Sequence, residues 1–482
     1  GPALGANGTI TLRLGHGVDV LGTTTLIPGA VFFVGDTGFR TQAGPTLFGP
    51  VTGSAMLEKY GNSGTFMVLA SGASDYSGGT LIHGGVQGQA PNMIASSARS
   101  GTPFGSGAIT VRPGGGLRIQ ENSNIATNPV TLNSDGVALA GISVGYSRGT
   151  LPTFITSGSP AAGQVLISTS HPLGLEAFIG LEASSFYTAI DQSAIGAGRT
   201  FLGNTTPGVP YVNTPYSFAH AYLNQTLLPG AGNTYRFGGG SGDLLNLGGA
   251  LFENVLTGSA AVEVGWGIGG LGANGGSTVG LNGTVGAMTR QNLTGEVRLN
   301  QGGTFQLGNS GALGTGVVVM NGGAINAYAN YRITNNFRLT ADWNSTFGSN
   351  QTVLAGNIDL SPDGVGATRT FNTNSGGGTS RVVFEGVISG VDGSNFIKSG
   401  NGEIVLHGLN TYRGTTTQTN GNIWFNRDVL PGQAGPFGIS DTPIQMAQSG
   451  LLPAGQISIG RDLIFTGDTT FGTQASWRVS VT

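Results

Sequence analysis

The chain has 482 residues, of which 89 are glycine, while only 20 Lys plus Arg and 23 Asp plus Glu carry charge. Average proteins hold about 7% Gly and about 25% charged residues, so both departures are large, and the lack of a three-residue Gly register excludes collagen. With 38% hydrophobic residues and 23 Phe the chain is too apolar to be disordered, and a net charge of −3 offers no broad attraction to nucleic acid or an anionic membrane.

No cysteine is present, which excludes a disulfide framework and thiolate chemistry. No run reaches the ~18 apolar residues of a membrane helix, so no membrane insertion by this chain is expected. Gly1-Pro2-Ala3 reads as a mature end without a signal peptide, or as a scar left by protease cleavage.

In chain order, the first predicted strand is Thr9 to Leu14, with Ile10, Leu12 and Leu14 alternating against polar neighbours. A distinctive unit follows. It runs Leu57-Glu58-Lys59-Tyr60-Gly61-Asn62-Ser63-Gly64, then an apolar strand to Leu69, then Asp75-Tyr76-Ser77-Gly78-Gly79-Thr80. Next comes Phe104-Gly105-Ser106-Gly107 leading into Ala108-Ile109-Thr110-Val111, with Ile125 to Asn128 and an alternating strand through Val130 and Leu132. Leu173 to Ile190 is the best helix candidate, on the spacing of Leu175, Phe178, Leu181 and Phe186, at even weight with a strand. Pro207, Pro210 and Pro215 mark a loop.

Both units then recur. Leu313-Gly314-Thr315-Gly316 leads into Val317-Val318-Val319-Met320, followed by Ile333 to Asn336, Phe337 and Leu339. Phe396-Ile397-Lys398-Ser399-Gly400-Asn401-Gly402 leads to Asn410-Thr411-Tyr412-Arg413-Gly414-Thr415-Thr416. Lys59 and Lys398 are the only lysines, and they hold the same place in their units. The tail, Trp477-Arg478-Val479-Ser480-Val481-Thr482, alternates again. Repeats outline an N-terminal β-repeat region (1–140), an irregular or inserted β-rich region (141–292) and a C-terminal β-repeat region (293–482).

The reading is all-β throughout. Short strands stopped at Gly and Asn suit a parallel β-helix, whose coils of roughly 20–25 residues stack an apolar interior. Antiparallel sandwiches are the alternative, because the Asn-Gly pairs at 7, 282, 321 and 420 also suit hairpins.

Chemical signatures are weak. Gly141-Ile142-Ser143-Val144-Gly145 has nucleophile-elbow spacing but no following helix, and Gly270 to Gly275 matches a dinucleotide loop only as a string. The five His are too scattered for a zinc set. No catalytic residue, cofactor or metal ligand is assigned, and the chain is not expected to be an enzyme.

The string Lys-x-Gly-x-Gly, an apolar strand, then Gly-x-Asn-x-Tyr-x-Gly-x-Thr resembles the passenger-associated strand repeat of bacterial autotransporters and related surface proteins. Lys398 to Thr416 is the closer copy; in the other, Ser74-Asp75 stands where Asn-Thr is usual. The resemblance implies a right-handed parallel β-helix, secretion, and an extracellular or cell-surface location. It makes Lys59, Gly61, Tyr76, Gly78, Lys398, Gly400, Asn410, Tyr412 and Gly414 structural motif positions. A self-transporting member would end in a membrane barrel, which is not recognisable here.

The leading functional expectation is a self-assembling fibre, sheath or surface-layer subunit, because neutral polar strands with few lysines do little to discourage association. Head-to-tail contact through Thr9, Ile10, Leu12 and Leu14 or through Trp477, Val479 and Val481 would make a homopolymer. An adhesin passenger binding a host surface or glycan is second, and a polysaccharide-cleaving β-helix third.

Overall fold

The computed structural model describes residues 10–14, 19–26, 30–34, 46–61, 66–84, 92–98, 100–120, 125, 127–135, 138–144, 165–169, 174, 176–181, 189–203, 220–238, 241–248, 252–265, 282–287, 289–327, 329–347, 351–375, 381–447 and 449–471. The chain forms two compact units, Gly1–Gly286 and Ala287–Thr482.

Every recorded strand ladder among the described residues is parallel, which decides for a parallel β-helix over the sandwich alternative. In the second unit the chain cycles through three sheets. Phe337–Leu339, Trp343–Phe347 and Gln351–Leu354 make one coil, and Ile358–Asp359, Thr368–Ser375 and Arg381–Phe384 make the next. Each strand pairs in register with its counterpart a coil away: Phe337 with Ile358, Trp343 with Phe371, Thr352 with Val382. In the first unit Leu57–Gly61, Thr80–Ile82, Ile109–Val111 and Val130–Ser134 are consecutive rungs of one sheet.

The period-two pattern read from the sequence becomes the inside–outside division. Val130, Leu132 and Ser134 are buried while Thr131 and Asn133 are partly exposed, and Phe337 and Leu339 are buried around an exposed Arg338. Stacking coils in register puts like residues above like. Trp343, Phe371, Phe396 and Tyr412, on successive coils, form a continuous aromatic column with ring centroids 4.6 to 5.9 Å apart, and Phe337 packs edge-on against Trp343 within its own coil at 5.2 Å. Offset and edge pairs of this kind stabilise by about 0.5–1.5 kcal/mol each beyond their area burial.

Two readings that the sequence left open are decided. The helix candidate contains a strand: Phe178–Leu181 is fully buried and pairs with Gly141–Val144 on one side and Phe201–Gly203 on the other. Two-sided ladder pairing outweighs the near-helical spacing of Phe178 and Leu181; Leu175 and Phe186 lie outside the described residues. The Asn-Gly pairs are not hairpin turns. Gly322 and Gly421 take φ of +84° and +73° at corners between parallel strands, Asn282-Gly283 lies within Asn282–Ala287, and Asn7-Gly8 lies outside the described residues.

Candidate functional site

The two lysine units fold to the same local structure. Lys59 lies on Leu57–Gly61 and Lys398 on Asn395–Ser399, and both side chains are completely buried. Two residues before each lysine, Leu57 pairs with Thr80 and Phe396 with Thr416. Those threonines receive the motif tyrosines: the hydroxyl of Tyr76 lies 2.6 Å from Thr80 Oγ1, and that of Tyr412 lies 2.7 Å from Thr416 Oγ1. Both tyrosines are fully buried, which pushes their pKa well above the ordinary phenol value.

The glycines of the unit permit close packing of coils. A Cβ on Gly78 would stand 2.3 Å from the Ala55 carbonyl oxygen, and one on Gly414 would stand 2.3 Å from that of Ser394. Gly400 turns the chain with φ +77°, while Gly61 ends the strand Leu57–Gly61.

Asn410 holds the coil on each side of it. Its Oδ1 accepts from the Ile388 N–H at 2.8 Å and its Nδ2 donates to the Pro436 carbonyl at 2.7 Å. Ser74 takes over the first of these roles, its Oγ accepting from the Val51 N–H at 3.0 Å. The departure from the motif is therefore a substitution of one acceptor for another.

The lysine heads differ. Lys59 Nζ donates to Asn92 Oδ1, and Asn92 Nδ2 donates to the His83 carbonyl at 2.7 Å. Lys398 Nζ donates to the carbonyls of Ser399, Gly400 and Asn420 at 2.5, 2.8 and 3.2 Å. Burial lowers Lys59 well below the usual lysine range and brings Lys398 down to about 7.

The second repeat unit is a corner. Gly105 and Gly314 have φ of +59° and +61°, and the following Ser106 and Thr315 N–H groups bond back to the carbonyls of Tyr76 and Leu293. The Asn128 amide then reaches the carbonyls of Phe104, Gly105 and Gly107 at 3.3, 3.2 and 2.7 Å. Asn335 does the same to Leu313, Gly314 and Gly316 at 3.4, 3.2 and 2.7 Å. The equivalent of Asn128 is thus Asn335, one residue before the Asn336 that the Ile-x-x-Asn alignment selects.

A third corner was missed in the sequence. Gly438 has φ +73° and the Ile439 N–H bonds to the Tyr412 carbonyl, as Ser106 does to Tyr76. The shared signal is Pro103-Phe104-Gly105 and Pro436-Phe437-Gly438, each one coil beyond a motif tyrosine.

Three clusters carry the ionisable groups with chemical interest, each centred on one carboxylate: Glu58 and Glu403 are held by several donors, and the buried Glu176 by Arg199. Glu58 accepts from Tyr60 OH at 3.2 Å and pairs with His83 Nε2 at 3.1 Å; the His83 ring stacks on Tyr60 at 3.6 Å and Arg112 lies 3.3 Å from its Nδ1. Burial, reinforced by Arg112, lowers the His83 pKa. Glu403 accepts from Arg381 Nε at 2.6 Å, Asn422 Nδ2 at 2.9 Å and Trp424 Nε1 at 3.0 Å, with the Arg381 guanidinium 4.4 Å over the Trp424 ring. Burial opposes ionisation of Glu403, and these donors override it to hold the carboxyl below its ordinary pKa. Glu176 binds Arg199 at 2.7 Å, yet burial raises its pKa. Paired carboxylates flanking a bond, as glycoside cleavage needs, are not what these clusters provide.

Ser143, the centre of the elbow-like string, is fully buried in Gly141–Val144 and faces no solvent. The string at Gly270 lies outside the described residues, as do Thr9, Trp477, Val479 and Val481. Among the described residues no group of three or more His, Asp or Glu is arranged to hold a metal, and no helix is long and apolar enough to cross a membrane. Ile10, Leu12 and Leu14 lie on Ile10–Leu14, the terminal strand of its seven-stranded sheet, paired to Ala30–Val34.

Fold and motif together define the chain as a parallel β-helix protein with internally duplicated coil units. Comparison with family models, curated proteins and solved structures finds no match.

Proposed function

We propose that this chain is a non-catalytic structural element of an extracellular or cell-surface assembly, acting by self-association of its β-helical coils. The observation that carries this reading is where the repeated side chains point. Lys59, Tyr76, Lys398, Asn410 and Tyr412 are all completely buried and bonded to neighbouring coils or to the core, so the repeat serves to hold the coils and presents nothing to a substrate.

The outer rungs supply a means of association. Ile10–Leu14 ends its sheet, and Leu463–Phe465 and Thr469–Phe471 end theirs, each with a described partner strand on one side. Ile464 and Phe465 are 43% and 49% exposed on such a rung. Edge strands with exposed apolar residues recruit another strand. Head-to-tail joining of that kind gives open filaments.

Electron microscopy of purified protein at near-neutral pH, with no added partner, tests this. Regular filaments or sheets support the proposal, and Ile464→Lys should then shorten them. Isolated short particles at high concentration would refute self-assembly and favour a monomeric adhesin.

A further inference from the structure

Lys59 and Asn92 meet inside the coil stack of the first unit. Lys59 lies on Leu57–Gly61, opposite Ile82 of the adjacent rung Thr80–Ile82. Asn92 opens Asn92–Ser96, a rung of another sheet paired with Phe66–Leu69 on one side and Gly115–Ile119 on the other. Both side chains are completely buried. They stand 33 residues apart in sequence, so winding one coil onto the next is what brings them together.

The Asn92 amide is held at both ends. Its Oδ1 accepts from Lys59 Nζ, and its Nδ2 donates to the His83 carbonyl at 2.7 Å. The His83 N–H bonds to the Lys59 carbonyl at 3.0 Å, so the group that orients the amide is tied to the backbone of the lysine. A donor at hydrogen-bond distance from Oδ1 lies within about 4 Å of Cγ, close to the ~3–3.5 Å of a near-attack geometry. Burial lowers the Lys59 pKa well below the usual lysine range and so favours the neutral amine, which is the nucleophilic form. Lys398 supplies the contrast. Its Nζ meets only backbone carbonyls, those of Ser399, Gly400 and Asn420, and attack on any of them would cut the chain. A side-chain amide can instead lose ammonia and leave the backbone whole.

We propose that Lys59 and Asn92 form an intramolecular isopeptide cross-link. Nζ of the neutral lysine adds to Cγ, and the Cγ–Nδ2 bond breaks. One proton passes from Nζ to Nδ2, which are bound to the same carbon in the tetrahedral intermediate, and ammonia leaves. One amide replaces another, so no oxidant or co-reactant is needed. Until the bond forms, Lys59 titrates as a buried amine. The finished link ties Leu57–Gly61 to a strand of the next coil across a separation of 33 residues, in a chain with no cysteine. It would constrain the unfolded chain as a disulfide does. The cross-link is independent of self-association, and failure of either reading leaves the other standing.

The test is mass spectrometry of the intact folded chain after storage at mildly alkaline pH, followed by digestion. Most molecules should be lighter than the sequence mass by one ammonia, about 17 Da. An Asn-Gly pair that closes to a succinimide loses the same ammonia, so the digest decides. Cleavage after acidic residues cuts at Asp75, between Lys59 and Asn92. A branched peptide that still joins the Lys59 segment to the Asn92 segment is expected, together with resistance to trypsin after Lys59. Chain held unfolded in urea should keep its full mass, because the fold supplies the proximity. Lys59→Arg and Asn92→Ala should abolish the branched peptide, and where either fails to fold the digest of the parent chain still decides. Full mass persisting in the stored folded chain, or loss of ammonia with trypsin still cutting after Lys59, would overturn the proposal.

Discussion

Tyr412 and Thr416 meet in the core with their hydroxyl oxygens 2.7 Å apart, and Tyr76 and Thr80 repeat the contact at 2.6 Å in the other unit. Each pair bonds the end of one corner to the first residue of the next rung, so the tyrosine positions a strand as well as filling volume. Tyr412→Phe should lower stability by about 1 kcal/mol, the net value of one buried hydrogen bond. Tyr412→Ala should cost about 3–5 kcal/mol, because it also opens a cavity beside Phe396. Urea unfolding of the two variants measures both.

Lys398 makes stability depend on pH in a defined direction. Its pKa is about 7 in the fold against 10.5 for an ordinary lysine. Between those values the unfolded chain binds the proton and the folded chain does not, so stability rises as pH climbs from 7 to 10.5. The slope approaches about 1.4 kcal/mol per pH unit within this window and vanishes below it, where both states are protonated. Lys59 acts in the same direction. Lys398→Met should remove its share of the slope and still destabilise at pH 7 by about 1–3 kcal/mol, since three carbonyls lose their donor. Melting midpoints across pH 7–10 for both proteins check this.

The corner glycines should tolerate substitution unequally. A Cβ on Gly105 or Gly438 would stand 2.1 or 2.4 Å from the Tyr76 or Tyr412 carbonyl oxygen, at φ of +59° and +73°. Gly364 has a similar φ of +75° and nothing within 4 Å. Gly364→Ala should cost about 1–2 kcal/mol for backbone strain alone. Gly438→Ala adds a backbone clash and should exceed that by several kcal/mol or prevent folding of its coil. Thermal unfolding of the pair separates conformational strain from packing.

Asn335 should not tolerate a change of charge. Its amide nitrogen serves three carbonyls, so Asn335→Asp would set a buried carboxylate against three acceptors. That should cost more than Asn335→Ala, which loses the donor without adding charge. A denaturation midpoint for Asn335→Asp equal to that of Asn335→Ala would contradict the assigned geometry.

Much of the fold is legible in short strings because a solenoid is built from near neighbours. Alternation in Ile109-Thr110-Val111 and Phe337-Arg338-Leu339 reports which face is inside, and the return of Lys-x-Gly and of the Gly-x-Gly corner reports the same local structure used twice. Legibility fails where a residue is judged by its own segment. Phe178 to Leu181 has helical spacing, and only two partner strands make it a strand. The Pro-Phe-Gly corner at 436–438 is short and stands apart from the copies it matches. Arg298, Arg338 and Arg369 are far apart in sequence and come to line one depression only after four coils are stacked.

Composition, period-two alternation and the two duplicated units were enough by themselves to determine an all-β chain of short strands in repeated units, because these features act over one strand or one repeat. The tertiary structure alone decided that the strands pair in parallel, that both lysines are buried, that Ser74 does the work of Asn410, and that three arginines line one depression. Those outcomes depend on register between coils, which sets what lies above and below each side chain and has no trace in the order of residues along a single strand.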